Sequence, residues 1–449
     1  MRKVITYGTY DLLHHGHINL LKRAKKLGDY LIVGVTSDNY DRERGKLNVR
    51  NNVIERIEAV KSTGLADEII IEDYVGQKID DIQRYNIDIF AIGSDWKGKF
   101  DYLSEFCKVI YLPRTEGVSS TKLRAESTSI TNIGIVGCGR VASRFPAEAA
   151  FVSGVKISAV YDIDYAKSYE FAQKHSVSNI CESFDQLLDS SHAVYIATPH
   201  LSHYSLIKSA LLKGKHVLCE TPMVLKESEA IELFELSTRA GLILMEANKT
   251  AHCPAFNHLI VMIKSGVIGE VVDVEASLSK LWDDDLSLRE FDPQQAGGSM
   301  YELGSYPLLP IFKLSGIEYE NLSLYSRMHN NVDMYTKGVF RYKTKVCTFK
   351  VGLGVKTEGN LIISGTKGYV YVPAPWWKTD YFELRYENQN MNKKFFYKWD
   401  DAGLRYEIQE FVSCIINKRL TTSRLGNRES IAMARVMEQF AKREHFFEI

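Results

Sequence analysis

The sequence predicts an α/β chain in which two parallel-sheet units follow one another and a third region builds on a large, mostly antiparallel sheet. Three observations carry this prediction. From Lys3 to Leu112, β-branched runs at Lys3–Tyr7, Tyr30–Thr36, Glu68–Ile71, Ile87–Ile92 and Lys108–Leu112 alternate with stretches of helical periodicity. Strands separated by helices imply a parallel sheet. After the polar patch Glu126–Ser129 the alternation restarts, with strands expected at Asn132–Val136, Lys156–Tyr161, Ala193–Ala197, His216–Cys219 and Leu242–Ala247. Beyond Phe256 the pattern changes to long alternating segments, VVDVEASLSKL, NLSLYSRMH, GVFRYKTKVCTFKVGL and GYVYVPAPWW. These suit an antiparallel sheet with one exposed or interfacial face. Helices at Leu404–Asn417 and Arg428–Arg443 close the chain. The expected domains are 1–126, 131–253 and 254–449.

The 449 residues agree with that division at roughly 100–200 residues per domain. Apolar residues make up 45% and charged residues 25%, an ordinary globular composition that excludes a disordered or collagen-like chain. Fifty-six basic residues balance fifty-six acidic ones, so no global field favours nucleic acid or an anionic membrane. Phosphate binding has to come from local sites. The seven cysteines are scattered singly with no CxxC pair and read as reduced thiols rather than a disulfide framework or a zinc site. With no apolar run long enough to span a bilayer and a start that moves straight into a strand, the protein is expected in the cytoplasm. The many tyrosines of the last region fill its sheet or form a binding or homodimer surface.

The segment GTYDLLHHGHINLL follows the first strand and runs into an amphipathic helix. His14 and His17 are three apart, so both imidazoles fall on one face near a helix N-terminus, where N–H groups and the dipole favour an anion. Two donors at such a place suit nucleotidyl transfer, which must stabilise charge on the non-bridging oxygens of an in-line phosphoryl centre. The Gly8-Thr9 turn and Asp11 belong to the same constellation.

These residues resemble the glycerol-3-phosphate cytidylyltransferase family of HxGH nucleotidyltransferases, a fold similar to Rossmann domains. The resemblance rests on KVITYGTYDLLHHGH, on Arg44-Gly45-Lys46, on GSDWKGKFD at Gly93–Asp101 and on RTEGVSSTK at Arg114–Lys122. It implies CTP across the strand ends, with His14 and His17 on the α-phosphate and Lys46 near the triphosphate. Arg114 with Ser119, Ser120 and Thr121 would hold the β- and γ-phosphates. Asp11 would neighbour Mg²⁺, Asp95 would contact substrate or metal, and Arg56 would bind the acceptor phosphate. Ser94 stands where many members carry a second acid, which leaves the acceptor open.

In the second unit, strand NIGIV runs into Gly137-Cys138-Gly139-Arg140-Val141-Ala142, a G-x-G-x-x-A turn opening a helix. Its glycines permit a tight turn and close approach of a pyrophosphate. Asp162, ending the next strand, is placed to bond an adenine-ribose hydroxyl, which favours NAD(H) over NADP(H).

VYIATPHLSHY, HVLCETPMVLKESEA, LMEANKTAHCPAF and GGSMYELGSYPLL then occur in order and resemble the glucose-fructose oxidoreductase/inositol dehydrogenase (Gfo/Idh/MocA) family. The resemblance implies a Rossmann domain followed by an α/β domain with an open sheet, with Thr198, Pro199 and His200 along the cofactor and Glu220 on the nicotinamide side. The family's EKP reads ETP here. Thr221 is neither a cation nor an efficient acid at neutral pH. Two substitutes are visible: Lys249, just past a strand whose carboxyl end should face the nicotinamide, and Tyr306, aligned with a tyrosine some members use. An ammonium close to Tyr306 would lower its pKa. His252 is a further candidate for bonding substrate.

The expectation is a bifunctional enzyme. The first unit transfers CMP from CTP to a polyol phosphate, glycerol 3-phosphate by resemblance, and the second is an NAD(P)-dependent oxidoreductase that makes the alcohol for cell-surface polymers. The alternative is a second half that has lost catalysis and serves binding or dimerisation.

Overall fold

The strands of the first unit are apolar on both faces, which is what a parallel sheet covered by helices on each side requires. The computed structural model describes residues 1–43, 49–74, 76–113, 130–281, 288–397, 399 and 401–449. The chain divides into two units, Met1–Ser129 and Ile130–Ile449. The polar patch expected to join them lies outside the described residues.

In the first unit, β1 (Lys3–Gly8), β2 (Tyr30–Thr36), β3 (Glu68–Glu72), β4 (Ile89–Gly93) and β5 (Lys108–Leu112) form one sheet. Its order is β3-β2-β1-β4-β5, parallel throughout. Val4, Leu31, Val33 and Ile89 face Leu21 and Ala24 of helix α1 (His15–Lys25) and Val60 of helix α2 (Val53–Ser62). Their chain neighbours Ile5, Ile32 and Phe90 face the opposite way, onto Ile82 and Leu103. Strand order reverses between β1 and β4, so the loops leaving these two strands diverge and open a crevice at their carboxyl ends.

The second unit holds two sheets. β6 (Thr131–Val136), β7 (Val155–Tyr161), β8 (Ala193–Ile196), β9 (His216–Glu220) and β10 (Leu244–Ala247) are parallel in the order β10-β9-β8-β6-β7. One face packs on Leu187, Ile207 and Leu233. The other packs on Phe145 and on Ile408 and Phe411 of helix Leu404–Ile416, which returns from the far end of the chain. A buried ion pair fastens that helix: Glu148 accepts from the Arg405 side chain at 2.8 Å and from the Arg405 and Ala402 backbone.

The third region is a nine-stranded sheet, Val271–Ser279 at its centre, whose pairs are antiparallel except for two. One face packs on helices Pro254–Lys264, Ser305–Ser315 and Asn427–Ala441. Tyr325, Tyr369 and Phe447 are exposed. Among the described residues, no helix is long and apolar enough to cross a membrane and no His, Cys, Asp and Glu cluster could hold a metal. All seven cysteines are free thiols.

Candidate active sites

The loop after β1 is held in an unusual shape. Tyr10 and Leu12 take positive φ, 53° and 48°, a conformation that non-glycine residues adopt only when their surroundings impose it. Two contacts impose it here. The buried Tyr10 ring meets the His17 ring edge-on, with centroids 5.5 Å apart. Asp11 Oδ1 accepts from the Arg50 and Asn51 N–H groups, each at 3.0 Å. With its carboxylate so engaged and only 2% exposed, Asp11 holds the loop rather than presenting itself to a metal.

That loop delivers His14 as the N-cap of α1, where its Nδ1 accepts from Gly16 N–H at 3.1 Å. A nitrogen that accepts carries no proton, so the neutral ring has its hydrogen on Nε2 and presents a donor. His17, in the first turn, stacks on it at 3.9 Å between centroids and 20° between planes. No acid occupies that turn, and Lys22, Arg23 and Lys25 sit in the last one, an arrangement that leaves the N-terminus electropositive. Gly8 ends β1 at the crevice with Thr9 just after it, and Asp95 stands exposed after β4 on its other side. Thr9 Oγ1 donates to Asp41 at 2.7 Å. Lys46, Arg114, Ser119, Ser120 and Thr121 lie outside the described residues.

Arg56 departs from expectation. Its side chain is closed to solvent; Nε donates to Asn51 O at 2.9 Å, and Nη1 to Thr9 O, Thr36 O and Asp41 at 2.7, 2.8 and 3.1 Å. Nη2 pairs with Asp38. A guanidinium so occupied braces the β1 and β2 ends and is not offered to a phosphate. The sequence reading also missed a buried polar block at the strand ends: Lys78 pairs with Glu72, its ammonium 4.7 Å from the Tyr7 ring, while Tyr7 donates to Asp81 at 2.8 Å.

In the second unit a cavity of about 1530 Å³ opens beyond the carboxyl ends of β6 to β10, larger than the roughly 300–1,000 Å³ of a small-ligand site. The Gly137 turn forms one wall. Gly137 has φ +88°, and a Cβ there would stand 2.6 Å from Ala197 O, whereas a Cβ on Gly139 would meet nothing within 4 Å. The first glycine is demanded by the fold; the second leaves room for a pyrophosphate. Arg140 and Val141 line the same wall, Arg140 lying 3.7 Å from Glu290. Asp162 also lines the cavity and accepts from Cys138 N and Asp164 N at 2.8 and 3.0 Å. Thr198, Pro199 and His200 line the side of the helix beginning at His200, whose Nε2 lies 3.0 Å from Glu302.

At the inner end, Glu220 closes β9 and accepts from Tyr195 OH. Burial pushes its carboxyl up to about 6, against the Tyr195 hydrogen bond and the Lys249 charge. Thr221 turns its hydroxyl to Glu246 at 2.7 Å and offers no acid to the cavity. Lys249 does line the cavity; burial lowers its pKa, while Glu407 and Glu220 raise it. Tyr306 lines it too, but its phenol is raised, not lowered: burial, Glu220 and Glu407 all disfavour the phenolate. His252 is buried and absent from the cavity wall. Glu407, from helix Leu404–Ile416, is the residue the sequence did not flag; it shows only as an acid on an apolar helix face.

Residues 5–126 match the cytidylyltransferase-like family, residues 131–248 the oxidoreductase family with an NAD-binding Rossmann fold, and residues 256–371 the GFO/IDH/MocA C-terminal domain. A glycerol-3-phosphate cytidylyltransferase of Bacillus spizizenii is 50% identical over 130 residues, covering 29% of this chain and 100% of that protein. The trans-1,2-dihydrobenzene-1,2-diol dehydrogenase of Bos taurus is 27% identical over 324 residues, 69% of this chain and 95% of that one. A 3-ketoreductase from Actinomadura kijaniata, solved with NADP and TDP-benzene, shares the fold at TM-score 0.63 and 20% identity over 71% of this chain and 99% of that one. A nucleotidyltransferase and an NAD(P)-dependent oxidoreductase therefore share one polypeptide. The chain belongs to the cytidylyltransferase-like family through its first unit and to the Gfo/Idh/MocA oxidoreductase family through its second.

Proposed function

We propose that the first unit transfers CMP from CTP to glycerol 3-phosphate, giving CDP-glycerol and pyrophosphate. The stacked His14–His17 pair at the N-terminus of α1 carries this reading. The acceptor's phosphate oxygen attacks the α-phosphorus, the bond to the β-phosphate oxygen breaks, and pyrophosphate leaves with its electron pair. His14 Nε2–H, His17 and the helix N-terminus hold the charge that gathers on the non-bridging oxygens. Mg²⁺ travels with the triphosphate in this proposal, since Asp11 is engaged with backbone N–H groups and Mg²⁺ commonly keeps substrate phosphates among its ligands.

The second unit, on the same proposal, reduces a carbonyl to supply the alcohol phosphate that the first activates, for a cell-surface polymer made from cytoplasmic precursors. The open Gly139 cradle and the cavity's size fit a dinucleotide, and the bound nicotinamide supplies the hydride. Lys249 donates to the substrate oxygen as negative charge develops there, Tyr306 is a second, neutral donor, and Asp162 favours NAD(H). The exposed Tyr325, Tyr369 and Phe447 suit a homo-oligomer. A lapsed second unit is favoured by Thr221 alone, and Lys249 in the cavity wall answers it.

Mass spectrometry after incubating the protein with CTP, Mg²⁺ and a panel of polyol phosphates, with and without NAD(P)H and the matching ketoses, tests the proposal. CDP-glycerol formed from glycerol 3-phosphate supports the first half; a different CDP-polyol corrects the acceptor. For the second half, Lys249→Met is expected to lose turnover and keep dinucleotide affinity, with Lys249→Arg retaining part of the rate.

A further inference from the structure

A carboxylic acid with no hydrogen-bond partner among the described residues stands in the wall of the dinucleotide cavity. Glu407 is closed to solvent, and neither carboxyl oxygen meets a hydrogen-bond partner among the described residues. Such burial costs several kcal/mol for an ionised group, so the site keeps this acid neutral or keeps a cation beside it. A capping role is excluded, because neither Glu407 oxygen accepts from a backbone N–H of the helix's first turn. Nor does Glu407 serve the neighbouring clamp, where Arg405 is taken by Glu148 and Asp401.

The cation whose charge acts on Glu407 is Lys249. Its short helix, Lys249–His252, packs against helix Leu404–Ile416, and both side chains line one cavity with Glu220 and Tyr306. Glu220 faces them from the end of β9, Tyr306 from helix Ser305–Ser315, Arg144 and Glu148 from the segment after the glycine turn, and Lys378 from the turn Trp376–Lys378. Burial, with Glu220 and Glu148, raises Glu407 well above the carboxylate range, and Lys249 opposes that shift.

We propose that Glu407 is a positioning residue that acts through Lys249, holding its charge and resupplying its proton. In the reducing direction the Lys249 ammonium gives a proton to the substrate oxygen as hydride reaches the carbonyl carbon, and becomes an amine. The neutral Glu407 carboxyl then gives its proton to that amine and remains as a carboxylate beside the restored ammonium. Water returns the proton to Glu407 when product leaves. Oxidation runs the same transfers in reverse. This inference rests on the role proposed above for Lys249.

The test uses the full chain without cofactor and reads Lys249 directly, by the pH dependence of its labelling with an amine-reactive reagent, followed by peptide mass spectrometry. Glu407→Gln removes the carboxylate that Glu407 becomes as the pH rises toward the Lys249 titration, so the Lys249 midpoint is expected to fall by about one pH unit. Turnover in that variant is expected to drop about tenfold or more, its pH profile moving the same way, with dinucleotide affinity unchanged and Glu407→Asp recovering part of the rate. An unmoved midpoint with Lys249→Met inactive overturns the Glu407 role and leaves Lys249 standing. Full turnover in Lys249→Met overturns both. If Glu407→Gln does not fold, infrared spectroscopy of the wild type decides. A neutral-carboxyl C=O band at neutral pH that titrates higher in Lys249→Met supports the proposal, and absence of the band overturns it.

Discussion

The imidazoles of His14 and His17 lie stacked, 3.9 Å between centroids, on the first turn of α1. On the proposed function, stacking brings two donors to bear on one phosphoryl group, so each depends on the other's placement. His14→Ala or His17→Ala is expected to lower CDP-polyol synthesis by about a hundred- to a thousandfold, while dinucleotide binding by the second unit is unchanged. Product release by mass spectrometry and cofactor titration measure the two effects, and wild-type synthesis in both variants would falsify the assignment.

Arg56 is closed to solvent and bonded to four neighbours besides Asp38. Replacing it removes a buried cation from beside Asp38 and Asp41. Arg56→Met is therefore expected to destabilise the first unit by about 3–5 kcal/mol, seen in denaturant unfolding of the full chain. The KM for the acceptor phosphate should hold near its wild-type value in whatever fraction stays folded; a large KM rise with unchanged stability would return Arg56 to the phosphate site.

Asp162 has two tasks in the structure: it accepts from Cys138 N at 2.8 Å, fixing the glycine turn, and its charge faces the cavity. The two separate by substitution. Asp162→Asn removes the charge and is expected to shift preference toward NADPH about tenfold, because a carboxylate repels a 2′-phosphate. Asp162→Ala also frees the turn and should weaken both dinucleotides. Titration of NADH and NADPH against the three proteins checks this, and an unaltered ratio in the Asn variant would place the ribose elsewhere.

Glu410 ties the segment after helix Leu404–Ile416 back onto it, accepting from Arg419 and Thr422 at 3.1 and 2.8 Å. Burial raises its pKa, but Arg424 and Arg419 outweigh burial and bring it from 4.5 down to about 2. A depressed folded value means stability that is present above the unfolded pKa and lost as pH falls from about 4.5 to 2. Glu410→Gln is expected to cost about 3 kcal/mol at neutral pH, the difference from wild type closing with acid. A difference that persists at low pH would mean that the carboxylate's charge is not what stabilises the segment.

Strand positions, the glycine turn and the histidine pair were legible in the sequence because they are local. A β-branched run, a φ that only glycine tolerates and a three-residue helical spacing involve neighbours in the chain, so Lys3–Gly8, Gly137 and His14–His17 stand where periodicity and spacing put them. Lys249 was legible for the same reason: it follows a short strand whose carboxyl end faces the cavity. What a side chain meets across the fold is not local. Arg56 looked like a phosphate ligand until Asp38, Asp41 and the β1 and β2 carbonyls closed around it. Tyr306 looked like a residue for an ammonium to acidify until burial among Glu220 and Glu407 set its proton more firmly. Glu407 showed only as an acid on an apolar helix face, because only the return of helix Leu404–Ile416 onto the second sheet, clamped by Glu148 and Arg405, carries it to the cavity. The sequence by itself determined the elements and the chemistry that neighbouring residues make. The tertiary structure decided which charges are buried together, since desolvation and Coulomb energy depend on distances through space rather than along the chain.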